Sequence, residues 1–148
     1  MHSPLYETDF YTWAIQQSQL LRDRQLQQVD WDNIIEEIEA LGRSQYYALV
    51  SAIERLTLHL LKWQFQPKRR SKSWKHSINK QRIQIERILE DNPGLAAKLD
   101  EIIPKGYKYG RKGAIQETGL PSTTFPESCP YSWTDLTDER FFPEPADE

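Results

Sequence analysis

SQYYALVSAIERLTLHLLKWQ, residues 44–64, is the stretch that decides the fold. Leu49, Val50, Ala52, Ile53, Leu56, Leu58, Leu60, Leu61 and Trp63 recur at helical spacing, yet together they cover most of the circumference. A helix that is apolar nearly all round is packed on several sides, so this segment is expected at the centre of a helical bundle. Pro67 lacks an amide hydrogen and biases its predecessor away from helical geometry, which ends the segment at or just before it.

Upstream, Asp30 is a good N-cap for a second amphipathic helix. Its apolar residues Trp31, Ile34, Ile35, Ile38 and Leu41 form one clean stripe, and Gly42 is expected as its stop or kink. Earlier still, Phe10, Trp13, Ala14, Gln17, Leu20 and Leu21 predict a helix from about Thr8 to Arg24, with Thr8 or Asp9 as cap. Downstream, Trp74, Ile78, Gln81, Ile85, Ile88 and Leu89 predict a helix from Ser71 or Ser73 to Glu90. Asn92-Pro93 opens a further one through Leu95, Leu99, Ile102 and Ile103. Pro104 and Gly106 are expected to break or kink it before another helical stretch over 107–117, which Gly110 and Gly113 weaken.

After Thr118 the chain becomes proline-rich and irregular, but it keeps Phe125, Tyr131, Trp133, Phe141 and Phe142. A disordered tail is poor in such residues, so this one is expected to wrap over the bundle, with a helical turn around Trp133–Leu136. Only residues 143–148 are expected to be disordered. The expected architecture is therefore all-α: one domain over residues 1–142, with five to six helices around the central segment 44–64. No period-two alternation and no internal repeat appears.

With 148 residues the chain has the size of one ordinary domain. No apolar run approaches the roughly 18–20 residues that span a bilayer, and no signal-peptide pattern follows Met1, so no membrane partner is expected. The single cysteine, Cys129, excludes an internal disulfide framework and a multi-cysteine zinc site, and fits a reducing cytoplasm. The net charge of −3 hides segregation. Residues 1–61 carry nine acids and four bases, 62–87 nine bases and only Glu86, and 88–148 twelve acids and six bases. A basic block between acidic flanks can bind a polyanion, or it can pair with those flanks.

Several strings carry a resemblance that covers the chain from Leu5 to about Phe142. They are Asp9-Phe10-Tyr11-x-Trp13, Asp30-Trp31-Asp32 with Glu36-Glu37-Ile38-Glu39-x-Leu41-Gly42-Arg43-Ser44, and His59-Leu60-Leu61-Lys62-Trp63-x-x-Gln66-Pro67. Arg70-Ser71-x-Ser73-Trp74, Glu117-Thr118-Gly119-Leu120-Pro121, Phe125-Pro126 and Cys129-Pro130 complete the set. Their order and spacing resemble the bacterial, largely cyanobacterial, "domain of unknown function 29" family. The resemblance implies a helical fold and carries no activity with it.

Three constellations compete for a role. Asp32, Glu36 and Glu39 stack at i, i+4 and i+7, and with His59 from a facing helix they could ligate a hard metal. The same stripe reads equally as a solvated face salt-bridged by Arg43, and His59 as a buried or half-buried histidine donating to a carbonyl or carboxylate. Lys68, Arg69, Arg70, Lys72 and Lys75 gather at a helix start, the parts used to hold phosphate, beside Trp63 and Trp74. Both tryptophans fall on inner helix faces, and the pI of about 5.7 is far from that of a nucleic-acid binder. Arg70 and His76 have a spacing similar to the Arg–His motif of small helical ribonucleases of the HEPN class, in which the arginine would hold a phosphate and the histidine would assist cleavage. Cys129 stands far from any histidine, and no phosphate-binding glycine loop or cofactor motif is present, so no cofactor is expected. The expected function is a non-enzymatic interaction module, a homodimer or the partner of another protein. The alternatives are a nucleic-acid-binding or RNA-cleaving module on residues 68–76 and a metal site on the acidic helix.

Overall fold

The computed structural model describes residues 3–146, and every regular element among them is helical. In chain order these are α1 (Leu5–Thr8), α2 (Phe10–Arg22), α3 (Trp31–Phe65), α4 (Lys72–Asp91), α5 (Leu99–Thr118) and α6 (Trp133–Thr137), linked by short 3-10 turns. The chain divides into two compact units, Met1–Ser44 and Gln45–Glu148.

In the first unit, Asp9 caps α2 by accepting from the Thr12 amide at 3.1 Å and from the Thr12 hydroxyl at 2.6 Å. Hydrogen bonding to that ionised carboxylate holds the Asp9 pKa below its ordinary value. Buried Trp13, Gln17, Val29 and Asp30 form a small core. Asp30 organises it: one carboxylate oxygen accepts from Trp13 Nε1 at 3.0 Å, the Ser3 amide at 3.0 Å and Asn33 Nδ2 at 2.8 Å. Its own amide donates to Gln17 Oε1 at 2.8 Å. A nearly inaccessible carboxylate is tolerated here because donors converge on it from different segments. Tyr6, Phe10 and Trp13 pack ring against ring, with centroids 4.7–5.8 Å apart.

Two expected breaks are absent. Gly42 does not stop a helix: α3 runs unbroken for 35 residues. A mid-helix glycine costs only about 1 kcal/mol relative to alanine, too little to interrupt a ladder propagating from both sides. Pro104 and Gly106 likewise lie inside a single 20-residue α5. Asn92-Pro93 opens a 3-10 stretch, Pro93–Lys98, rather than α5 itself.

The second unit is built round the C-terminal half of α3, whose Leu49, Ala52, Ile53, Leu56, Leu60 and Leu61 are all but inaccessible. Ile78, Ile85 and Ile88 of α4 and Ile102, Tyr107 and Ala114 of α5 close on it. The glycines of α5 make that closure possible. A Cβ on Gly106 would lie 2.6 Å from Ile53 Cγ2, and one on Gly110 would overlap Thr57 Oγ1 and stand 2.7 Å from the Glu54 carbonyl. Gly106, Gly110 and Ala114 repeat every four residues, a stripe of small residues along which α3 and α5 approach backbone to backbone.

The proline-rich segment packs as expected. Phe125 is buried against Phe65 at 5.2 Å, Phe142 lies 4.9 Å from Trp63, and Ser132 with Asp135 forms the capping box of α6. Tyr131 donates to Gln64 Oε1 at 2.8 Å, and Arg111 Nη2 donates to the Ser122 carbonyl at 2.7 Å. Of the segment expected to be disordered, Pro143 is buried and the Ala146 amide donates to the Gln64 carbonyl at 3.0 Å, while residues 147–148 lie outside the described ones.

Candidate interaction surface

At 3.6 residues per turn, Trp31, Ile34, Ile35, Ile38 and Leu41 fall within one arc of about 120° on α3. That arc faces solvent. Trp31 is 43% exposed, Ile35 49%, Ile38 62% and Leu41 69%. The polar residues of the next arc turn inward instead: Asn33 donates to Asp30, and Glu37, half-buried, accepts from the Tyr6 hydroxyl. That bond to a carboxylate is the main cause pushing the Tyr6 pKa up to about 12. Within the first unit, the face that is most apolar in sequence is thus the uncovered one.

The acidic stripe borders this surface. Arg43 pairs with Glu36 at 3.0 Å and with Glu39 at 3.8 Å, all three well exposed, so the solvated salt-bridged alternative is the one formed. His59 lies on the same helix as Asp32, Glu36 and Glu39, about five and a half turns beyond Glu39, not on a facing one. Its Nδ1 is 2.8 Å from the Arg55 carbonyl and so donates back along the helix, the structural role anticipated for it. Among the described residues no group of three or more His, Cys, Asp or Glu is placed to hold a metal ion.

The basic segment is only partly free. Lys68 and Arg69 occupy the turn Pro67–Arg69, and Ser71 caps α4 by accepting from the Trp74 amide at 3.2 Å. Arg70 is tied down: Nε donates to the Trp63 carbonyl at 2.9 Å, and the guanidinium stacks 4.7 Å from the Trp63 ring centre. It is therefore not presented to a phosphate beside the exposed His76. Lys75 reaches toward the Phe142 ring at 5.7 Å, and Trp74 lies under Lys62 at 4.7 Å. Lys68, Arg69, Lys72 and Lys75 are exposed, and none forms an ion pair among the described residues. The acidic flank 88–148 does reach the block at its start, where Lys62 pairs with Glu117 at 2.9 Å, but among the described residues not these four cations.

Two features gave no sequence signal. Arg82 is buried on α4, donating through Nε to the Leu136 carbonyl and through Nη2 to the Asp135 carbonyl, both at 2.9 Å. Burial lowers its pKa, and Asp138 and Asp135 oppose that shift. Beside it a groove of about 710 Å³ runs between α4 and α6, floored by Ile85, Leu89 and Trp133 and rimmed by Glu86, Glu90 and Glu139. Cys129 is half-buried, and burial pushes its thiol pKa up, the opposite of what a nucleophile needs.

Fold and surface define an all-α protein whose described helices include none long and apolar enough to cross a membrane. The chain belongs to the family described as domain of unknown function DUF29, whose model matches residues 5–142, nearly the whole chain. No curated protein and no solved structure matches it.

Proposed function

We propose that this chain is a non-enzymatic interaction module that binds another polypeptide through the apolar stripe of α3, by self-association or with a protein partner. One observation carries the proposal: Trp31, Ile35, Ile38 and Leu41 stay solvent-exposed on one helical face while Asn33 and Glu37 turn inward. Contiguous exposed apolar surface costs solubility and marks interaction sites, and a helix that contradicts its own amphipathic pattern does so where function demands it. The lone Cys129, which can form no internal disulfide, suits a bacterial cytoplasm as the setting. Affinity capture with the full chain should return a stoichiometric partner, or the chain itself, that the double variant Ile38→Glu/Leu41→Glu loses at an unchanged thermal midpoint. Identical behaviour of parent and variant would refute the proposal.

A second reading rests on Lys68, Arg69, Lys72 and Lys75, exposed around the start of α4 and without ion-pair partners among the described residues. Polyanion binding there would weaken steeply with salt. Fluorescence anisotropy of a labelled RNA at low salt tests it, and no change on adding protein would end it. RNA cleavage receives less support, because Arg70 is held against Trp63.

A further inference from the structure

We propose that the groove between α4 and α6 binds a small organic cation: an apolar body with a protonated amine and a neutral carbonyl oxygen that accepts from Arg82. The groove lies within the second unit and is separate from the α3 stripe. Arg82 carries the inference. Its side chain lines the groove and is only 6% exposed. Nε and Nη2 donate to the Leu136 and Asp135 carbonyls at 2.9 Å, whereas Nη1 is shut off from solvent and has no hydrogen-bond partner among the described residues. The Phe142 ring, 5.5 Å from the guanidinium carbon, attracts its charge but supplies no lone pair. Among the described residues no carboxylate pairs with it, and Asp135 and Asp138 act on it only at longer range. A buried charged donor without an acceptor is costly, and an oxygen brought by a ligand removes that cost.

The rest of the groove sets the ligand's body and charge. A volume of about 710 Å³ is in the range that takes small molecules. Ile85, Leu89 and Trp133 offer the body an apolar and aromatic floor. Glu86 and Glu90 stand one turn apart on α4, and Glu139, just past α6, joins them on the rim. All three are exposed, and none forms an ion pair among the described residues. Like charges four residues apart repel, and a ligand cation relieves that repulsion. The same rim disfavours a ligand carboxylate, so the acceptor offered to Arg82 is a neutral carbonyl. Because Nη1 is closed off from water, that oxygen reaches it by displacing part of the exposed rim.

The test is an NMR titration of the isotope-labelled full chain with para-(aminoethyl)benzamide, which carries ring, ammonium and amide carbonyl. Three relatives each change one part: phenethylamine lacks the carbonyl, para-ethylbenzamide lacks the ammonium, and para-(carboxyethyl)benzamide replaces it with a carboxylate. The first probe should shift the Trp133 indole and Arg82 Nε–H resonances saturably. Phenethylamine should bind about tenfold more weakly and leave the Arg82 resonance unmoved. Removing or reversing the charge should weaken binding about threefold or more. The exposed double variant Glu86→Gln/Glu90→Gln should weaken the first probe by the same factor and leave para-ethylbenzamide unchanged. Equal binding of phenethylamine overturns the part given to Arg82, tighter binding of the carboxylate overturns the choice of a cation, and no shift of Trp133 by any of the four overturns the site. Ile38→Glu/Leu41→Glu should bind the first probe as the parent chain does, so this proposal and that for the α3 stripe fail independently.

Discussion

Replacing Gly110 with alanine should destabilise the protein, against the ordinary effect of glycine-to-alanine changes inside helices. The added methyl would stand 2.7 Å from the Glu54 carbonyl oxygen and overlap Thr57 Oγ1, which is itself pinned by its bond to the Ile53 carbonyl at 2.8 Å. Ordinary contact begins at 3.4 Å, so α5 must retreat from α3 by about 0.7 Å. A gap of that size forfeits a quarter to a half of the dispersion attraction along the seam, and overpacking of this kind costs about 1–3 kcal/mol or more. Improved helix propensity returns about 1 kcal/mol. The net loss should be up to about 2 kcal/mol, a fall of up to about 8 °C in Tm for a chain of this size. Gly106→Ala, blocked at 2.6 Å by Ile53, should behave alike. Gly113→Ala meets only the mobile end of Leu58 at 3.3 Å, and Gly42→Ala meets nothing within 4 Å. Both should therefore gain up to about 1 kcal/mol. Urea unfolding followed by circular dichroism separates the pairs, and equal stabilisation by Gly110→Ala and Gly113→Ala would refute the close approach of α3 and α5.

Other outcomes follow from single groups. Asp30→Ala strips Trp13 Nε1, Asn33 and the Ser3 amide of their common acceptor, and should cost about 3 kcal/mol in urea unfolding read by tryptophan fluorescence. Burial pushes the Tyr107 pKa up to about 12, so folding favours its neutral phenol. That contribution is complete below the ordinary value of 10 and is lost as pH rises from 10 through about 12. Tyr107→Phe, which also gives up the bond to the Pro126 carbonyl, should lower stability by about 1 kcal/mol at pH 8 yet flatten its decline above pH 10. Urea midpoints measured across that range check it; the decline should persist in part, because burial raises Tyr131 too. The half-buried Cys129, its pKa raised, should react with a disulfide reagent at pH 8 at least about tenfold more slowly in the folded chain than in urea.

Much of the fold was legible in local sequence because it depends on periodicity and caps. The all-round apolar segment 44–64 placed the centre of the second unit, Ser71 and Ser73 both offered a start for α4, of which Ser71 is the cap, and the aromatics after Thr118 announced a packed tail. Helix breaks were misjudged at Gly42, Pro104 and Gly106, where local propensity argues for a stop. Whether a glycine ends a helix or lets a neighbour approach depends on what lies across from it, and Ile53 and Thr57 are more than fifty residues away from Gly106 and Gly110 in the chain. The candidate site divides the same way. Sequence alone determined that Trp31, Ile34, Ile35, Ile38 and Leu41 share one helical face, since 3.6 residues per turn allows nothing else. It could not say which way that face turns. Only the tertiary structure decided that Asp30 and Glu37 draw the polar side inward through Trp13 and Tyr6 and leave the apolar stripe to water, because those bonds join residues 17 and 31 positions apart.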